Sequence, residues 1–441
     1  MKRLISLSLV LILLLAGCSK PKAEPAEEPE KAAFVPDYLV LPEDEPTDPE
    51  ERLQWRRDVV EQQMRHMLSI RWTPAVDITY STVPQSGGIE ADKLSDPSQI
   101  FTLKAGRIYQ GIPYTHGCGG AASFLQYATA RDETGVYTLT GLDGASLTGI
   151  GRSAPNQSAR IGNDCADAVA WAWSMVSSSI YFNETPHMTE PNGVLRVGDY
   201  EWDSNMPYHS KSTTNICFKN GKQKMFQAYA QLQKADGLVH VTDHSSGHAV
   251  MVVDVHVEYT AAGEIDGNRS YVTILQQDIM AEQNELSYYD EAIGQMVYLT
   301  EELDVKLTFS GLFSIGYLPI TCKELVDPSD LPEPKVEDPA PNPTVSNMFV
   351  HTIKASYRIA YVTVTIQDSK GKTVQQSTCF AVEKQDKYSF DLSRFNLPTE
   401  SAVMKGRLDL KALPKGDYKC VYTCRLAPGQ EITFREFDFT V

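Results

Sequence analysis

The chain has 441 residues, is 42% hydrophobic and 22% charged, and carries a formal net charge of −17. This length and composition predict two or three globular domains, each large enough for its own core. The acidic balance favours solubility and, with no basic stripe in the sequence, argues against a nucleic-acid partner.

The amino terminus reads as a processing signal. Met1-Lys2-Arg3 is a cationic start, and Leu4 to Leu15 is an apolar run too short for a typical spanning helix. The run ends in Leu15-Ala16-Gly17-Cys18, which resembles the bacterial lipoprotein box. That resemblance implies a signal peptide over 1–18, lipidation of Cys18, and an exported chain anchored to the outer face of the bacterial cell membrane through lipid alone. A plain secretory signal with an incidental Cys18 is the other reading, and it exports the chain too.

Residues 19–49 are rich in Pro, Glu, Lys and Ala and predict a flexible tether. Asp48-Pro49-Glu50-Glu51 then starts a helix. Asp48 caps it, Pro49 takes the first helical position, and the acids face the dipole. The helix is expected to run to about Ile70, with Val60, Met64, Met67 and Leu68 facing the core. Between 75 and 160, Gly and Ser clusters alternate with short apolar runs such as Val136 to Leu139. Gly111 to Gly120 is a Gly-rich turn of close backbone approach, in which Tyr114 could be a surface aromatic or a site residue. His116 and Cys118 lie there with one residue between them, but two residues do not make a metal site.

The stretch richest in chemistry is Gly162-Asn163-Asp164-Cys165-Ala166-Asp167, which runs on into an apolar segment ending at Trp173. Asn163 or Asp164 can cap a helix that begins at Cys165. The positive end of that helix favours thiolate over thiol, with a pKa expected below the free value of about 8.5. A thiolate is the nucleophile acyl transfer needs. The other reading is a small, Cys/Ala-rich core helix.

Asn183 to Asn215 has no clear period and reads as a long excursion near the site. Lys224 to Lys234 predicts a helix, and strands follow at Gly237 to Val241, Gly247 to Val255 and Tyr271 to Asp278. Strands so closely joined are expected to pair antiparallel. Thr308 to Leu318 is expected to give another short strand. The Pro-rich segment 327–344 predicts a semi-rigid linker that closes a domain over 50–326.

Beyond it, 345–441 turns to a period of two. Val362, Val364 and Ile366 alternate with threonines, and Tyr418, Cys420, Tyr422, Cys424 and Leu426 share one face. These features predict an all-β sandwich of immunoglobulin type. Cys420 and Cys424 lie about 13 Å apart on that face and cannot bond each other. Either could pair with Cys379, or they could be buried free thiols.

A cysteine nucleophile needs a base, and the base needs an orienting group. His248 begins a buried strand directly after Asp243-His244-Ser245-Ser246-Gly247, so its ring would stand at a strand edge; His244 and His240 are weaker candidates. Gln276 and Gln277 sit in an apolar strand, where an amide must find a hydrogen bond. Neighbours alternate faces, so one of the two points inward and could hold the imidazole.

Together these residues resemble the NlpC-like and CHAP-like cell-wall cysteine peptidases. The likeness lies in a cysteine after an Asp at a helix start, Gly-His at the head of an apolar strand, and a polar residue on the next strand. It covers about residues 100 to 320. The family's Asp-Cys-Ser-Gly appears as Asp164-Cys165-Ala166-Asp167, so two positions depart. The resemblance implies an α+β fold: a papain-like domain with an antiparallel sheet, ahead of the β-sandwich. It makes Cys165 the nucleophile, His248 the base and Gln276 the third residue, because Leu275-Gln276-Gln277-Asp278 resembles the family's Glu-Gln-Asn strand end. Ile112-Pro113-Tyr114 resembles the family's Pro-Tyr, with Tyr114 and Asp164 on the substrate side. The implied activity is hydrolysis of amide bonds in peptidoglycan stem peptides, with no metal or organic cofactor. A surface lipoprotein that binds a wall polymer or partner without turnover is the alternative.

Overall fold

Helix α1 (Pro49–Ser69) starts where its cap chemistry puts it. Asp48 sits in extended backbone and its carboxylate accepts from the N–H groups of Glu50 and Glu51. Val60, Met64, Met67 and Leu68 are buried along one side. The structure is a computed structural model that describes residues 45–81, 100–114, 120–140, 162–180, 182, 185–203, 211–242, 247–278, 285–340, 342–381, 388–396 and 404–441. The signal segment with Cys18, the tether up to residue 44, and His116, Cys118 and His244 lie outside the described residues. Among the described residues no helix is long and apolar enough to cross a membrane.

The fold mixes helices with a larger share of β-sheet. Among the described residues five further helices are α2 (Gly120–Leu125), α3 (Cys165–Trp173), α4 (Thr213–Asn220), α5 (Lys222–Tyr229) and α6 (Phe309–Ile315). The sheet that positions the candidate site has six strands: β1 (Val194–Arg196), β2 (Gly237–Val241), β3 (Gly247–His256), β4 (Tyr271–Gln276), β5 (Val305–Thr308) and β6 (Leu318–Cys322). Their order is β5-β4-β3-β2-β6-β1, and every neighbouring pair is antiparallel. Helix α3 packs across β3, and α1 packs on α3. Every residue of α3 is buried, which accounts for its alanines: a helix covered all round has little room for long side chains. Trp173 at its end donates its indole N–H to the Ala235 carbonyl at 2.8 Å.

A second six-stranded sheet runs Ser287–Asp290, Gln295–Leu299, Ile108–Gln110, Arg71–Pro74, Tyr137–Leu139 and Ala128–Arg131 in that order. Trp72 is its buried centre, packed on Tyr109 and Phe124.

Thr308 to Leu318 is not the strand that its apolar content suggested. Thr308 caps α6 by accepting from the Gly311 N–H, and Gly316 ends the helix at φ 97°. Phe309, Leu312 and Phe313 are buried at helical spacing, a period that competes with the period of two in so short an apolar run.

In the C-terminal lobe a five-stranded sheet comprises β7 (Ile359–Asp368), β8 (Thr373–Phe380), β9 (Met404–Lys405), β10 (Asp417–Leu426) and β11 (Glu431–Thr440), in the order β9-β8-β7-β10-β11. It shares one core with the three-stranded sheet of Val336–Glu337, Thr352–Ala355 and Ser389–Asp391. Ile353 and Phe390 from the smaller sheet meet Val362, Val364, Ile366 and Tyr422 from the larger one. Val362 faces Cys379 on one side and Cys424 on the other, so two strand spacings of roughly 4.8 Å separate those sulfurs' backbones. That is beyond disulfide reach. Cys165, Cys217, Cys322, Cys420 and Cys424 are buried free thiols.

The described residues, 45 to 441, cluster as one unit. The Pro-rich segment is seated on both of its neighbours. Arg56, buried in α1, donates to the carbonyls of Asp327 and Ser329 at 2.7 Å each, and the Tyr357 hydroxyl donates to Pro332 O. The guanidinium supplies charge-assisted partners to these two carbonyls.

Candidate active site

Three elements build the site. Asp164 is the N-cap of α3, its carboxylate accepting from the Asp167 N–H at 2.8 Å, and Cys165 is the first helical residue. A bridge between Tyr114 and Asn163 brings the Pro113-Tyr114 turn alongside the cap. Strand β3 passes beneath. Gly247 opens β3 because a side chain there would collide with the His240 carbonyl at 2.5 Å and with Thr185. His248 follows, directly across from His240 on β2.

Cys165 is 4% exposed. Its sulfur lies 3.9 Å from the Thr185 hydroxyl and is approached by the backbone N–H groups of Ala249 and Ala166. The Tyr114 hydroxyl also hydrogen-bonds it. Burial, and then the neighbouring Asp164 carboxylate, push the thiol up to about 11, against the pull of the Ala249 N–H, the Thr185 hydroxyl and the Ala166 N–H. The expected lowering at a helix start is therefore overturned. Desolvation disfavours the thiolate by more than the first-turn donors recover. Burial likewise raises the Tyr114 phenol, with the Cys165 and Asp164 charges adding to it.

One ring nitrogen of His248 is accounted for. Nε2 lies 3.3 Å from Oε1 of Gln276 on β4. A carbonyl oxygen only accepts, so with the amide assigned this way Nε2 carries the hydrogen and Nδ1 of the neutral ring presents its lone pair. Burial lowers the His248 pKa, while the Asp278 carboxylate and the Gln276 bond oppose that. The resting imidazole is thus neutral at pH 7. No hydrogen bond joins it to the Cys165 sulfur.

The two glutamines divide. Gln276 faces His248, whereas Gln277 is fully buried and donates to the Ile112 carbonyl and, at 2.9 Å, to Glu301. Gln277 thereby ties β4 to the turn that carries Tyr114. Asp164 has a demonstrable role as a cap, with its carboxylate beside the sulfur.

Three residues near the site were given no role by the motif pattern. Thr185 comes from the aperiodic excursion after α3, where no spacing announces it. Asp278 ends the β4 segment, and its charge directly after an apolar strand was the one available signal. Tyr317 packs on His240, ring centroids 5.6 Å apart, and burial raises its phenol, the charges of Cys165 and Asp278 adding to that. Among the described residues no group of three or more His, Cys, Asp or Glu side chains is arranged to hold a metal.

No family model matches the chain. No curated protein matches it. One solved structure that it resembles in part is a tetra-tandem repeat in the extending region of a large adhesion protein, 13% identical over 46% of this chain and 40% of that one. Its TM-score of 0.17 is too low to relate the folds.

Proposed function

We propose that the chain is an exported lipoprotein cysteine peptidase or amidase that cleaves amide bonds in peptidoglycan stem peptides, on a papain-like domain followed by an immunoglobulin-like sandwich. One observation carries the reading: a helix with a cysteine at its first residue packs on an antiparallel strand that opens Gly247-His248, and Nε2 of His248 is held by a side-chain amide from the next strand. That hydrogen bond leaves Nδ1 as the acceptor a general base needs.

The raised thiol and the lowered imidazole are in the wrong order for a resting thiolate–imidazolium pair. Proton transfer from Cys165 to His248 therefore accompanies attack on the scissile carbonyl. The thioester forms as the C–N bond breaks, and His248 passes the proton to the leaving amine. Water, deprotonated by the same imidazole, then releases the acid and restores the thiol. Gln276 keeps the ring in the productive tautomer, and the Cys165 backbone N–H at the open helix end is available to the oxyanion. Tyr114 and Asp164 lie on the substrate side of the sulfur. Lipidated Cys18 would hold the enzyme at the outer membrane face, next to its polymer.

The alternative is a surface lipoprotein that binds a wall polymer or partner on the same scaffold without turnover. The high thiol pKa and the missing sulfur–imidazole bond favour it. Digestion of purified cell wall by the full chain and by Cys165→Ala, with fragments identified by mass spectrometry, decides between them. New amide-cleaved fragments from the parent protein alone are expected; identical fragment patterns overturn the hydrolase.

A further inference from the structure

The C-terminal lobe reaches the candidate nucleophile's helix with a single buried cation. Arg358, one residue before β7, is 1% exposed, and its Nη2 lies 3.4 Å from Oδ1 of Asp167, itself 1% exposed. Its guanidinium carbon stands 3.9 Å above the ring of Trp171, further along the same helix. Asp167 is the third helical residue of α3, two positions after Cys165, and its N–H is held by the Asp164 cap. Arg358 thus touches the first turn of α3 and its second, on one face.

Trp171 is also packed against Gly120. Gly120 at φ 60° packs so tightly on that ring that a Cβ would come within 2.7 Å of it. The Gly120 N–H donates to the Asn163 side chain at 2.8 Å, and Asn163 bridges to Tyr114. Ring, cap and tyrosine turn are therefore one packed chain of contacts, with Arg358 at its outer end. A second tie between the lobes, from the Tyr388 hydroxyl to the Ile180 carbonyl, lies beyond α3 and leaves its first turn to Arg358.

We propose that Arg358 is a positioning residue for Cys165, so that the β lobe sets the geometry and reactivity of the thiol rather than acting as a spacer. The proposal rests on the hydrolase reading only for its effect on turnover; its effect on the thiol does not depend on any substrate. The chemistry suits the task. One guanidinium N–H meets the Asp167 carboxylate at 3.4 Å while the guanidinium face lies on the Trp171 indole, so one side chain contacts two groups of α3, an i and i+4 pair. Lysine can supply the charge but not the face.

The test uses the full-length chain and its Arg358→Lys, Arg358→Met and Arg358→Met/Asp167→Leu variants. Iodoacetamide alkylation of Cys165 is followed by peptide mass spectrometry from pH 7 to 11, with buried Cys217 as internal reference. The expected result is a change of about fivefold or more in the Cys165 to Cys217 rate ratio for Arg358→Met, with a displaced pH profile. Arg358→Lys should be intermediate, and circular dichroism should show a retained fold. If cell-wall hydrolysis is measurable, kcat should fall roughly tenfold to a hundredfold with KM nearly constant, as for a misplaced reacting group. Should Arg358→Met not fold, the double variant, which leaves no buried lone charge, carries the same measurement. An unchanged ratio and profile in folded variants overturns the proposal. A changed ratio in a protein that never cleaves cell wall upholds the positioning role and overturns the hydrolase reading instead.

Discussion

A buried cation in the C-terminal sheet and the candidate cysteine and histidine beside α3 are held in different ways. In the C-terminal lobe Arg435 is met by both oxygens of Asp338 at 2.6 and 2.7 Å, by the Met348 carbonyl at 3.0 Å and by the Tyr422 ring at 4.9 Å. At the candidate base and nucleophile the contacts are longer. The His248 ring has one partner at 3.3 Å, and the Cys165 sulfur stands 3.9 Å from the Thr185 hydroxyl. Short, multiple, charge-assisted bonds hold a strand in place. Long single ones leave acceptor and nucleophile capacity that a substrate can use, and resting catalytic bonds are commonly loose. Arg358 lies between these extremes and reaches from the C-terminal lobe to the first turn of α3.

The comparison breaks most visibly at the chemistry. His248→Ala should lower the rate of cell-wall cleavage by about 10³-fold or more, and Gln276→Ala by about 10-fold to 10²-fold, in kcat measured on a soluble stem peptide. Equal effects of the two would remove the distinction between base and orienter. On the proposed hydrolase reading the reaction needs neutral His248, whose pKa burial lowers from its ordinary value, so activity should be lost as pH falls through that lowered value.

Arg435→Met is the matched change in the structural regime. It strands Asp338 and should cost about 3–5 kcal/mol in urea unfolding. The Cys165 alkylation rate should not move, in contrast to Arg358→Met.

Alkaline pH tests the thiols together. Burial raises Cys165 to about 11 and Cys217 and Cys420 to about 12, from an ordinary 9.0. Above pH 9 the unfolded chain releases these protons while the folded chain keeps them, so the unfolded state binds fewer protons and stability falls as pH rises. The expected loss is about 1.4 kcal/mol per thiol per pH unit, up to each folded value. Urea midpoints at pH 8, 9 and 10 check it, and a flat profile would show the thiols to be more solvated than their packing indicates.

The smallest effect is local. Asp48→Ala should cost about 1 kcal/mol through loss of the α1 cap, read as a shift in unfolding midpoint. It should leave both the alkylation ratio and the kcat unchanged.

Local chemistry explains which features were legible in advance. The α1 start, the β2, β3 and β4 strands and the alternating face of β10 follow from caps and from periods of 3.6 and 2 that neighbouring residues impose on each other. Cys165, His248 and Gln276 were readable for the same reason, each being marked by its immediate context in a helix cap, a strand head or an apolar strand. Helix α6 was not, because seven residues rich in Phe, Leu and Ile fit either period, and its cap at Thr308 decides only once the chain around it is packed.

The sequence by itself marked the α1 start, the β2, β3 and β4 strands and the apolar face of β10, and it singled out Cys165, His248 and Gln276 as candidates. These depend on residues a few positions apart. Only the tertiary structure decided that the Cys165 thiol is held high by burial and by Asp164, that Gln276 rather than Gln277 meets the imidazole, and that Thr185, Asp278 and Arg358 surround the same helix end. Desolvation and ion pairing depend on what lies across space, and Asp167 and Arg358 are separated by 191 positions of chain.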